Sequence, residues 1–123
     1  MDEQVREALT KNGSVIDITT TGRKTGQPRR IEIVFHNVDG KIYISGYPRP
    51  QKRYWLSNME ANPEFTFHLK NEVKADLAAT ARPLTDPAER RRILEPLIRI
   101  WEQVGLEDAV AMSPLVEVTF EDA

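Results

Sequence analysis

The chain has no cysteine, so disulfides, thiolate metal sites and a cysteine nucleophile are excluded together. It has two histidines, His36 and His68, too few for a histidine cage around a metal. No run of about 18 apolar residues occurs, so a membrane-spanning helix is not expected. The stretch MDEQVREALTKNG is charged and amphipathic, unlike a secretory signal, and the expectation is a soluble, cytoplasmic protein. Neither GxGxxG nor GxxxxGK[ST] occurs, which removes the dinucleotide fingerprint and the P-loop. What remains is a chain of 123 residues, 40% hydrophobic and 29% charged. That is enough for one compact core and too little for two ordinary domains, so residues 1–123 are expected to form one domain.

The formal net charge is −2, but its distribution is uneven. Between Arg23 and Arg53 lie eight basic and two acidic residues, a local balance of +6, and the remainder carries −8. Cations concentrated in one window of an acidic chain favour a bound anion there. A nucleic-acid coat needs a broader basic face, and the acidic remainder would repel a phosphate backbone. A small anionic ligand is therefore expected, with no nucleic acid.

Hydrophobic periodicity predicts mostly strands. VREALTKNG reads as a short leading helix stopping at Asn12-Gly13. Strands are expected over Ser14 to Thr21, over Ile31 to His36 and, after the hairpin signal Asp39-Gly40, over Lys41 to Gly46. RYWLSNMEANP reads as a helix closing on Asn62-Pro63. EFTFHLK and VKADLAATARPL form a second hairpin, the small residues of the latter suggesting a tight interior or a close-packed neighbour. Asp86 caps a helix with Pro87 at its first position, and Pro96 predicts a kink or two abutting helices. LVEVTFE supplies a sixth strand. The fold expected is mainly β (α+β): six short, mostly antiparallel strands in a small barrel with flanking helices.

Two loops carry the functional argument. In TTTGRKTGQPRR, Gly22 and Gly26 let backbone approach a ligand while Arg23, Lys24, Thr25 and Arg29 supply donors. In SGYPRPQKRYW, Ser45, Gly46, Tyr47 and the start of a helix present hydroxyl and N–H groups, with Arg49, Lys52, Arg53 and Trp55 nearby. Cations at a helix N-terminus are unfavourable to the helix itself, and a bound anion offsets that cost. Each loop alone also reads as a plain solvated connection; two basic loops converging across neighbouring strands do not. The histidines fall on the polar faces of their strands and read as surface residues, an axial haem ligand being the alternative. Arg90, Arg91 and Arg92 read as a solvated helix face. Asp17 is either a buried partner to a loop arginine or an exposed strand residue. No metal site and no catalytic side chain is assigned.

The order TTTGRKTGQPR, DGKIYISG, YWLSNMEANPEFTFHLK resembles the deazaflavin-dependent nitroreductase family, the split β-barrel oxidoreductases that use coenzyme F-420. The resemblance covers roughly Ile16 to Lys70 and rests on GRKTGxPR followed by W-x-x-N-x-x-A-N-P. It implies a split barrel, often a homodimer, with the cofactor in a groove against the barrel. Arg23, Lys24, Thr25 and Arg29 would then meet the cofactor's charged tail or phosphate. Ser45, Gly46 and Tyr47 would line the groove, with Arg49, Lys52, Arg53 and Trp55 beyond. The activity implied is hydride transfer from reduced F-420 to a small unsaturated, quinoid or nitro acceptor. A non-catalytic carrier of flavin, deazaflavin or another anionic ligand, and an FMN-dependent oxidoreductase, are the alternatives. The chain departs from the family at Gly46-Tyr47-Pro48-Arg49-Pro50, where many members carry a glycine pair. Its three tyrosines all precede residue 60, whereas the family presents C-terminal aromatics to the substrate.

Overall fold

The structure, a computed structural model, describes residues 1–11 and 13–121. Alternating apolar residues build six strands: β1 (Val15–Thr21), β2 (Pro28–Val38), β3 (Lys41–Ser45), β4 (Glu64–Lys70), β5 (Lys74–Pro83) and β6 (Leu115–Phe120). They close into a barrel in the order β1-β2-β3-β6-β5-β4, and every pairing is antiparallel. This is the barrel expected from the periodicity. The β2–β3 connection is a tight turn at Asp39 (φ 53°) and Gly40 (φ 85°), the two left-handed positions a type I′ hairpin requires.

Four helices flank the barrel: α1 (Glu3–Leu9), α2 (Tyr54–Ala61), α3 (Pro87–Ile98) and α4 (Leu106–Met112). Asp2 caps α1, and the helix ends at Leu9, before the expected stop; Asn12 lies outside the described residues. Asp86 caps α3 by accepting the Glu89 N–H at 2.9 Å. The helix runs through Pro96 to Ile98, so the break falls after the proline rather than at it. α4 was not visible in the periodicity, being seven residues with one buried side chain, Ala109. Among the described residues no helix is long and apolar enough to cross a membrane.

Two apolar clusters hold these elements. Inside the barrel, Ile16, Ile18, Phe35, Ile44, Phe67 and Val116 are completely buried, and α2 adds Trp55 and Met59. Phe35, Phe67 and Phe120 pack in series, tilted and then edge-to-face, with centroids 5.5 and 5.2 Å apart. Ala79 and Ala81 of β5 belong to this cluster. These two small residues therefore serve a tight interior, while Ala78 on the other face of β5 is exposed. Outside the barrel, Tyr43 and Leu115 pack beneath Ile93, Leu94 and Leu97 of α3. Each large side chain so buried contributes about 1.5–3 kcal/mol.

Three polar expectations change. Both histidines are buried, His36 at 5% and His68 at 7% exposed. His36 lies under Trp101, ring centroids 5.9 Å apart, and His68 links Thr19 and Asp76 at 2.7 Å each. Strand alternation missed both because the outer barrel face is itself partly covered. The arginine run is not simply solvated: Arg91 pairs with Glu107, and Arg90 donates to the carbonyls of Leu84, Ala109, Val110 and Ser113. Arg90 thereby bolts α3 to the end of α4. Asp17 is half-buried and partners Arg30, an arginine of β2 rather than of the loop, at 3.0 Å, together with Lys70 at 2.7 Å. Those two cations hold its carboxyl below the usual carboxylate range, Lys70 most strongly.

Candidate functional site

The β1–β2 loop is closed by its own hydrogen bonds. The Gly22 N–H donates to the Gln27 carbonyl and the Gly26 N–H to the Gly22 carbonyl, both at 2.8 Å. The Gln27 N–H donates to Thr25 Oγ1 at 3.2 Å. A Cβ on Gly22 would sit 2.8 Å from that hydroxyl oxygen, a separation that a side chain does not tolerate without displacing Thr25. Gly26 adopts φ +70°, where glycine has no steric penalty. The glycines thus set a compact loop that carries Arg23 and Lys24 on its rim.

The loop between β3 and α2 comes to meet it. Together they border a cavity of about 700 Å³ whose wall includes Arg23, Lys24, Thr25, Arg29, Arg49, Lys52, Arg53 and Trp55. Eight of the eleven residues singled out in the sequence are therefore gathered in one place. Thr20, Ile31, Tyr54 and Asn58 also line it and were not singled out. Asn58 stood within the W-x-x-N pattern, but its role depends on contacts that no pattern shows. Among the described residues, no aspartate or glutamate lines the cavity.

Ser45, Gly46 and Tyr47 lie outside this wall. Ser45 is buried and donates its hydroxyl hydrogen to the Pro114 carbonyl at 2.6 Å. Gly46 leaves room for Arg53, whose Nη2 would stand 3.2 Å from an added Cβ. Tyr47 accepts from Arg53 through its carbonyl at 2.5 Å, and its ring meets Trp101 edge-on at 5.3 Å. Gly46 and Tyr47 thus position Arg53, and Ser45 ties the end of β3 to Pro114.

The electrostatics separate the cations into two groups. Arg30 is paired with Asp17, Lys52 with Glu60, and Arg53 is anchored on a carbonyl. Among the described residues, Arg23, Lys24, Arg29 and Arg49 have no carboxylate within ion-pair distance. Burial lowers the pKa of Arg53, and Arg49 beside it lowers it further, the signature of like charges held together. The N-terminus of α2 adds to the field, with no side-chain cap and no acidic residue in its first turn. Ile31 and Trp55 supply an apolar wall. Positive rim and apolar wall together suit a ligand that is anionic at one end and flat and apolar at the other.

Among the described residues no three metal-ligating side chains cluster. Both ring nitrogens of His68 are hydrogen-bonded, and His36 Nδ1 is buried without a partner. Burial lowers the His36 pKa below its ordinary value, favouring a neutral ring.

Comparison with solved structures agrees with the fold. A NimC/NimA family protein from Clostridium acetobutylicum superposes with a TM-score of 0.66 at 18% identity, covering 95% of this chain and 83% of its own. An F420-H2 dependent reductase superposes at 0.63 with 21% identity, covering 85% and 93%. A chain solved as a domain-swapped dimer gives 0.63 and 20%, covering 95% of each. At the level of sequence, the family model for F420-H(2)-dependent quinone reductase matches residues 2–106, a span that contains both cationic loops, α2 and the first five strands. A barrel of this topology, with that match over most of its length, belongs to the F420-H(2)-dependent quinone reductase family.

Proposed function

We propose that this one-domain chain binds coenzyme F-420 in the cationic cavity and passes a hydride from its reduced form to a small acceptor, a quinone being the acceptor class that the family name favours. The observation that carries the reading is the set of four cations without carboxylate partners beside an apolar wall. F-420 joins a flat deazaflavin to a phosphodiester and a glutamate tail. Its anionic part calls for several charge-assisted hydrogen bonds, each stronger than a neutral one. Its ring calls for an apolar face, which Ile31 and Trp55 supply. The donor set therefore fits the group.

The chemistry that F-420 brings when reduced is hydride donation; the protein's part is orientation and exclusion of water. Arg23, Lys24, Arg29 and Arg49 bind the charged tail. The N–H groups at the start of α2 add a partial positive charge. Arg53, fixed on the Tyr47 carbonyl, keeps the β3–α2 loop in place, and Trp55 closes the apolar side. No side chain is assigned a proton transfer.

We further propose that the protein works as a homodimer, a reading supported by the domain-swapped dimer among its structural neighbours. Sedimentation at working concentration tests it, and a monomer there would refute it. The function is tested by titrating purified protein with oxidised F-420 and, in parallel, FMN, followed by fluorescence at low and moderate salt. Tight F-420 binding weakened by Lys24→Ala, then oxidation of reduced F-420 on adding a quinone, is the expected result. Binding without turnover would identify a carrier. Failure of a folded sample to bind either compound would remove the assignment.

A further inference from the structure

The β1–β2 loop is rigid within itself but hangs from the barrel by little else. Among the described residues, one hydrogen bond joins residues 22–27 to a distant part of the chain: the Arg23 N–H donates to Asn58 Oδ1 at 3.1 Å. The other end of the same amide, Nδ2, donates to Thr20 Oγ1 at 3.1 Å. Arg23 N–H can only donate, so the orientation of the amide is fixed by its partner. Asn58 and Thr20 are 7% and 2% exposed, and both line the cavity. A single buried amide on α2 therefore grips the end of β1 and the first cation of the loop.

We propose that Asn58 is the positioning residue of the site, a latch that holds the cationic loop at a fixed place relative to α2 and so preorganises the cations for an anion. This rests on the cavity being the cofactor site. α2 carries Trp55 and follows directly on its N-cap residue Arg53, while the loop carries Arg23 and Lys24. These two halves lie 35 residues apart in sequence for the bonded pair. Without the latch the loop keeps its internal hydrogen bonds but loses its orientation, and the ligand must then order it on binding. Asparagine suits the post because it accepts with one atom and donates with the other at no charge. Aspartate has the same shape and can accept from both Arg23 N–H and a rotated Thr20 hydroxyl. It would keep the latch while placing a negative charge in a cavity that no carboxylate lines among the described residues.

The test uses the full chain and reads the latch separately from the cofactor. In the native protein the Arg23 amide should exchange hydrogen at least about tenfold more slowly than those of Lys24 and Thr25. Trypsin should cut after Arg23 and Lys24 about tenfold faster in Asn58→Ala than in the native protein, without a matching rise at other sites. Affinity for oxidised F-420 and for inorganic pyrophosphate should fall about tenfold in Asn58→Ala. Asn58→Asp should keep the slow cleavage yet lose affinity, a dissociation that general loosening of the fold cannot produce. If Asn58→Ala does not fold, native exchange and Asn58→Asp still decide the matter. An Arg23 amide that exchanges as fast as its neighbours, or native cleavage rates in Asn58→Ala, would overturn the latch. Failure of the native protein to bind F-420, with the latch measurements as expected, would instead count against the cofactor reading.

Discussion

Replacing Arg49 with glutamine should move stability and binding in opposite directions. In the ligand-free protein Arg49 is exposed, has no carboxylate partner, and stands close enough to depress the Arg53 pKa. Its repulsion of Arg53 is screened by solvent, so the relief on removing it falls in the range of exposed charge pairs, about 0.2–1 kcal/mol. For a domain of this size that raises the melting temperature by roughly 1–4 °C. In the complex the same guanidinium makes a charge-assisted bond to the anion, a contribution of about 1.5–3 kcal/mol, of which exposure leaves the lower part. Affinity should accordingly fall about tenfold. The assay is thermal unfolding of both proteins without and with saturating F-420, at two ionic strengths. The variant should melt higher alone and gain less from the ligand, and the difference between the two proteins should shrink with salt. A variant that melts lower alone and binds F-420 as the native protein does would show that Arg49 is structural and would refute the electrostatic account of the cavity.

Three further outcomes follow from the contacts. Ser45→Ala removes the buried hydroxyl bonded to the Pro114 carbonyl, so chemical denaturation should show a loss of about 1–2 kcal/mol with F-420 affinity nearly unchanged; a loss of affinity alone would return Ser45 to the cavity. Gly22→Ala puts a Cβ against Thr25 Oγ1 and 3.2 Å from the Gln27 carbonyl, so the loop should open and binding weaken, whereas Gly13→Ala, with open space around it, should leave binding untouched. His36 has a folded pKa below its unfolded value of about 6.5, so the unfolded state takes up the proton first. The stability it contributes is present above that value and is lost as the pH falls through it. Melting temperatures between pH 7.5 and 5.5 should decline in the native protein and less in His36→Phe; equal slopes would refute the assignment.

Much of the fold was written in local pattern. Alternation predicted β4 to the residue, because a strand with one face in the core repeats every two residues. The Asp39-Gly40 hairpin was equally legible, since few pairs of residues accept two left-handed conformations. The six cations on the cavity wall, Arg23, Lys24, Arg29, Arg49, Lys52 and Arg53, were legible as basic runs punctuated by glycine and proline. What pattern misjudged was the state of particular side chains. His36 and His68 alternate with phenylalanines and so look exposed, yet Trp101 and Thr19, distant in sequence, cover or bond them. Ser45 looks available at a strand end, but its partner Pro114 lies 69 residues away. The alanines of β5 were compatible with an interior or a neighbour, and only closure of the barrel put Ala79 and Ala81 inside and left Ala78 outside.

The sequence by itself determined the strands, their turns and the concentration of positive charge, because hydrophobic period, φ preference and charge are properties of residues and their near neighbours. Tertiary structure alone decided which cations are paired with carboxylates and which line the cavity unpaired. It also decided that one asparagine on α2 joins both halves of the cavity. Those outcomes depend on pairings between distant segments, which exist only once the barrel has closed and brought β1, α2 and the two loops to the same end.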